Sequence, residues 1–140
     1  MNLVARSLDL RFAEWLAEQH LYCHLVTELP SPVFEISGQL AIAVGGNYSP
    51  IELSGVTPQF DGLGARLVAD PISWISLTTN GSAITGAAFF IQEGESISSG
   101  DTFVSYMGFT TDEGDTAVWV PDGRTLTIPL DKNSFLRTRV

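Results

Sequence analysis

Residues 72–90, Ile72-Ser-Trp74-Ile-Ser-Leu77-Thr-Thr-Asn80-Gly81-Ser-Ala-Ile84-Thr-Gly86-Ala-Ala-Phe89-Phe90, decide the fold class. Apolar, β-branched and aromatic residues flank Asn80-Gly81 on both sides. That pair is the one a type I′ turn prefers, because both of its central residues need φ > 0. The stretch therefore predicts a central hairpin, with strands over 72–78 and 83–92. Gly86-Ala87-Ala88 thins one face of the second strand, so that another layer can approach closely.

Working outward, further short strands are predicted at 33–37, 39–44, 50–54, 65–69, 102–109, 117–120 and 125–130. Turn residues separate them, among them Gly45-Gly46-Asn47, Asp70-Pro71, Glu113-Gly114-Asp115 and Asp122-Gly123. Strands recurring about every ten residues are the pattern of a sandwich or barrel. Nothing after residue 33 offers a crossover helix, which excludes parallel βαβ units. A second hairpin is expected across Pro121-Asp-Gly-Arg124, joining Val118-Trp119-Val120 to Leu126-Thr127-Ile128. Pro129 cannot donate to a ladder, so the last of these strands is expected to be peripheral and half-buried. Residues 131–140, built on Phe135, Leu136 and Val140, read as a final short strand or a basic arm.

One helix is expected, over residues 8–26. Leu8, Phe12, Trp15, Gln19, Tyr22 and Val26 recur at spacings of three and four, with Leu16 and Cys23 widening the stripe. Ser7 or Asp9 can cap its start, and Pro30 and Pro32 forbid its continuation. Leu21 to Thr27 also suits an extended conformation. The stripe must pack on the chain's own sheet or on a partner subunit. The fold class is thus mainly β, an antiparallel β-sandwich or barrel-like domain with one N-terminal amphipathic helix, in a single domain.

At 140 residues the chain can bury roughly two-thirds of its unfolded surface and stand without disulfide or metal. Apolar residues make up 44% and charged residues only 16%. Such a balance leaves polar but uncharged surfaces that suit contact with neighbouring subunits. The single cysteine, Cys23, has no internal disulfide partner and reads as a small buried hydrophobe. No h-region follows Met-Asn-Leu-Val-Ala-Arg and no apolar run approaches the ~20 residues of a membrane span, so a soluble protein made in a cytoplasm is expected. The net charge is −9, unevenly spread. Residues 28–123 hold twelve acidic groups against Arg66 alone, whereas 124–140 hold Arg124, Lys132, Arg137 and Arg139 against Asp131. An anionic body repels phosphate backbones, so nucleic acid is not an expected partner. The basic end is either a solvated terminus or a grip for an acidic partner or a second copy.

No catalytic constellation emerges. His20 and His24, at i and i+4 on the expected helix, could share a metal ion, but Leu21 stands where a zincin needs Glu and the chain lacks ligands for a structural site. Asp112-Glu113-Gly114-Asp115 is too short for an EF-hand. There is no G-x-S-x-G elbow, and Glu93 and Glu95 lie in a turn-like context. Gly45-Gly46-Asn47 and Gly62-Leu63-Gly64 lack the residues of a P-loop. No cofactor or metal is expected. Trp74, Trp119, Tyr48, Tyr106, Phe60 and Phe109 suit a core, an interface or, in a carbohydrate-binding module, a sugar platform.

The run Asp70-Pro-Ile-Ser-Trp74-Ile, then Ile84-Thr-Gly86-Ala-Ala-Phe-Phe, then Ser99-Gly-Asp101-Thr-Phe-Val-Ser-Tyr106-Met-Gly-Phe109, closing with Gly123-Arg-Thr-Leu-Thr-Ile128, resembles small virion proteins of tailed bacteriophages over roughly residues 48–130. The resemblance implies a non-enzymatic β-sandwich built into a particle, as a capsid decoration (cement) protein or a head–tail or tail component. Its partners would be the major capsid protein or other virion subunits, and a cement role implies a homo-oligomer, a trimer at a local threefold axis. Phe12, Trp15, Tyr22, Arg137 and Arg139 are the candidate interface residues. The alternative from another class is a carbohydrate-binding β-sandwich module.

Overall fold

A computed structural model describes residues 3–28 (side chains from Leu8 onward), 41–60, 64–94 and 101–138. The strand expected at 33–37 and most of that at 39–44 lie outside the described residues, as does Arg139. The fold is mainly β. One helix, α1 (Leu3–Ala17), is followed by β1 (Leu21–Val26), β2 (Ile51–Glu52), β3 (Thr57–Phe60), β4 (Ala65–Val68), β5 (Ile72–Trp74), β6 (Gly86–Ile91), β7 (Thr102–Gly108), β8 (Leu126–Ile128) and β9 (Leu136–Arg137). Every strand pairing among the described residues is antiparallel. Among the described residues three sheets form, in the orders β2-β1-β6-β7, β3-β4-β9 and β5-β8. They share one core. Leu21, Cys23 and Leu25 of β1 and Ala87 and Phe89 of β6 meet Leu67 of β4, Trp74 of β5, Ile128 of β8 and Phe135, the arrangement of a sandwich.

The helix stops at Ala17, not at residue 26. The amides of Glu18 and Gln19 bond back three residues, to the carbonyls of Trp15 and Leu16, and the Gln19 side chain caps the Trp15 carbonyl at 3.1 Å. Residues 21–26 form instead an inner strand of the four-stranded sheet, paired from Leu21↔Ile91 to Val26↔Gly86. All six of its side chains are buried. Tyr22 and Val26 fit a helical stripe because a spacing of four is also a multiple of two. Alternation wins here, since Cys23 and Leu25 face one layer while Val26 joins Phe90 and Ala88 on the other side.

Neither predicted hairpin forms. β5 pairs with β8, from Ile72↔Ile128 to Trp74↔Leu126, and so connects the two segments expected to belong to separate hairpins. Of the Asn80-Gly81 pair only Gly81 has positive φ, which is not a type I′ turn. Non-local partners hold the chain between them. Leu77 exchanges backbone bonds with Arg124 and Gly123, Asn80 donates to the Val44 carbonyl, and Ile84 pairs with Trp119. Asn47 completes the clasp, its side-chain amide reaching the Ile75 and Ser76 carbonyls while its Oδ1 accepts from the Thr78 amide at 2.8 Å. Gly46, at φ +58, is required because a Cβ would collide with the Thr78 carbonyl. The Gly45-Gly46-Asn47 turn thus has a structural task.

The expectations for 65–69, 83–92, 102–109 and 125–130 are met in β4, β6, β7 and β8. β8 is peripheral in a two-stranded sheet, with Leu126 and Ile128 buried and Thr127 exposed. The close approach at Gly86 is real, since a Cβ there would strike the Met107 carbonyl and the Tyr106 hydroxyl.

Candidate assembly surface

α1 packs on β3 and β4. Its inward face is made of small residues and one leucine, with Ala13 and Leu16 each 1% exposed. Its outward face holds the large ones: Leu8 is 59%, Phe12 47% and Trp15 51% exposed. These three, at i, i+4 and i+7, form one continuous stripe on a helix of 3.6 residues per turn. The Phe12 and Trp15 rings lie 6.1 Å apart at 34°. The polarity of the helix is therefore inverted. Small side chains let it lie close to the sheet, and the aromatic payload is left in water. Three large exposed apolar side chains in one stripe mark an interaction site more readily than scattered single ones do.

Beside the stripe the surface dips into a groove of about 330 Å³. Phe12 and Trp15 form its lip, and Ile91, Val104 and Leu136, from β6, β7 and β9, form its floor. Arg11, Glu14 and Glu18 are exposed along one flank of the stripe. Neither Arg11 nor Glu14 has an ion-pair partner among the described residues.

Of the residues expected at an interface, Phe12 and Trp15 share this surface and Tyr22 does not. Tyr22 is 8% exposed, sits opposite Phe90 in the sheet and reaches Glu52 through its hydroxyl at 3.4 Å. Arg137 belongs to no free arm. It lies in β9, in register with Arg66, while the Phe135 and Thr138 amides bond to Leu67 and Ala65. The groove floor was not legible in the sequence, because its residues lie more than seventy positions from α1 and no short-range signal brings them together.

The two histidines are separated. Exposed His20 meets Glu52 at 3.1 Å, and that hydrogen bond, with the carboxylate charge, raises its pKa. His24 is 3% exposed in β1 and its Nε2 lies 2.8 Å from Gln92 Oε1. Gln92 gives its amide N–H to the Gly94 carbonyl, so His24 Nε2 is the donor. Burial lowers the His24 pKa. The pair does not converge on one site. Among the described residues no group of three His, Cys, Asp or Glu is placed to hold a metal ion. Asp112–Gly114 forms an exposed turn closed by the Thr110–Thr116 bridge. Cys23 is fully buried, and burial pushes its thiol pKa up.

Trp74 and Tyr48 are committed to each other and to the interior. Trp74 is core, with its indole N–H on the Ser49 carbonyl at 2.8 Å and Tyr48 stacked against it. Trp119 borders a cleft of about 380 Å³, but the Arg124 guanidinium covers its ring at 4.5 Å. Its Nε1 is the one buried side-chain polar atom that finds no partner among the described residues. No helix among the described residues is long and apolar enough to cross a membrane. Comparison with protein-family models, with curated proteins and with solved structures gave no match.

Proposed function

We propose that the protein is a non-enzymatic structural subunit of a tailed-bacteriophage virion, a capsid decoration (cement) protein in the first place and otherwise a head–tail or tail component. The observation that carries the reading is the outward stripe of Leu8, Phe12 and Trp15 continuing into the apolar groove. A surface of this kind is what a subunit needs in order to bury itself against a neighbour, since permanent interfaces are apolar at their centre and depleted in charge. The anionic body supports a place on the outside of a shell or tube, away from packaged DNA. The partners are then the major capsid protein or other virion subunits, and the protein resides in the particle.

The test is quantitative mass spectrometry and immunogold labelling of washed particles from the phage or prophage that encodes the chain. The reading expects the chain in fixed proportion to the shell protein, and its absence from washed particles overturns it. A carbohydrate-binding module would use the cleft beside Trp119, and titration of tryptophan fluorescence with oligosaccharides would detect it. The virion reading expects no response.

A further inference from the structure

We propose that the outward face of α1 closes on the same face of a second copy of this chain, helix against antiparallel helix, across a two-fold axis passing between Arg11 and Phe12. The inference rests on the assembly reading above and names the partner of that surface.

The spacing of the stripe is what points to this partner. Reversed about a point between residues 11 and 12, the outward set Leu8, Arg11, Phe12, Trp15 maps onto itself. Leu8 of one copy then meets Trp15 of the other, and the two Phe12 rings face each other beside the axis. The charges agree. Arg11 and Glu14 stand on the same flank of the stripe, and like flanks face each other in an antiparallel pair. At 1.5 Å rise per residue, Arg11 is offset from Glu14 of the second copy by only about 3 Å along the axis, within reach of a guanidinium. Two equivalent ion pairs form at once, from groups that have no ion-pair partner within the described residues of their own chain. An isologous contact of this kind closes on two copies, so the threefold arrangement implied by the phage resemblance would need a different surface.

Single cysteines on the stripe test the geometry. Leu8→Cys and Trp15→Cys proteins, mixed and mildly oxidised, should give a disulfide-linked heterodimer. Neither should link to itself, because two copies of residue 8 lie about 10 Å apart along the axis, beyond the ~7 Å that a disulfide spans. Self-linking of Leu8→Cys without the mixed product overturns the antiparallel contact. In sedimentation equilibrium the wild type should be a dimer and Phe12→Glu a monomer with an unchanged far-UV spectrum. Arg11→Glu should weaken association roughly tenfold, since both symmetric pairs are lost together. Arg11→Glu combined with Glu14→Arg should restore it to within about threefold. A trimer whose mass Phe12→Glu leaves unchanged, or a protein monomeric at every concentration, overturns the two-fold contact. The particle measurement above still decides the virion reading separately.

Discussion

Replacing Phe89 by alanine tests whether the sheets share one core. Phe89 is fully buried in β6, and its ring stacks on Phe135 at 4.9 Å between centroids and 29° between planes. Phe135 opens the segment that enters β9, and Ser105 Oγ donates to its carbonyl at 2.7 Å. The ring pair thus bridges the four-stranded sheet and the three-stranded one. Truncating a buried Phe to Ala costs about 3–5 kcal/mol. For 140 residues, unfolding entropy at ~2.1 cal/mol/K per residue gives about 0.3 kcal/mol/K, so ~4 kcal/mol lowers Tm by about 14 °C. Phe135→Ala should cost a similar amount, and the two together should fall short of additivity by about 0.5–1.5 kcal/mol, the worth of the ring pair. The assay is urea unfolding followed by fluorescence of buried Trp74 and by far-UV circular dichroism. Phe12→Ala, on the outward helix face, is the control and should change monomer stability by less than about 0.5 kcal/mol. A Phe135→Ala cost below about 1 kcal/mol, or strict additivity, would refute the bridge between sheets.

Stability should also respond to pH through His24. Its pKa is held below the usual 6.5 in the fold, so as pH falls below that value the unfolded chain takes up the proton first and stability is lost. His20, raised by Glu52, acts in the opposite sense, its contribution full below 6.5 and fading as pH rises through its folded value. Urea midpoints between about pH 5 and 8 should show a shallower acid loss in His24→Leu than in the wild type, and an unchanged slope would contradict the assignment. Gly86→Ala should destabilise by about 1–3 kcal/mol, because its Cβ would meet the backbone of β7 as well as the Tyr106 hydroxyl; a change under about 0.5 kcal/mol in chemical denaturation would show that β7 can yield. Cys23 should resist a thiol reagent in the native protein and react at once in urea, and fast native labelling would place it on an accessible surface.

The groove beside Trp15 and the strand β1 show where sequence reasoning reached its limit. Leu8, Phe12 and Trp15 were visible as a helical stripe, and the need for that stripe to meet something followed from their size. Which way it faces did not. Ala13 and Leu16 form the alternative inward side, and only the closeness of β3 and β4 selects it. Leu21–Val26 satisfied a helical and an alternating pattern at once, and the six partners Ile91 to Gly86 that decide between them lie about sixty to seventy residues away.

Local chemistry by itself determined the mainly β class, the antiparallel strands, the single N-terminal helix, the buried cysteine and the peripheral character of the strand before Pro129. Each follows from hydrophobic periodicity, residue type, turn residues or a missing donor, which act over a few positions. Tertiary structure alone decided the pairing. Asn80-Gly81 carries a strong hairpin signal, yet β5 pairs with β8 because Arg124, Gly123, Val44 and Asn47 satisfy the backbone groups between them. A turn contributes one or two hydrogen bonds, whereas closing a core over Trp74, Leu126 and Ile128 removes three large side chains from water. That difference in magnitude is why several strands were legible and their partners were not, and why 117–120, expected as a strand, contributes only the Ile84↔Trp119 bridge.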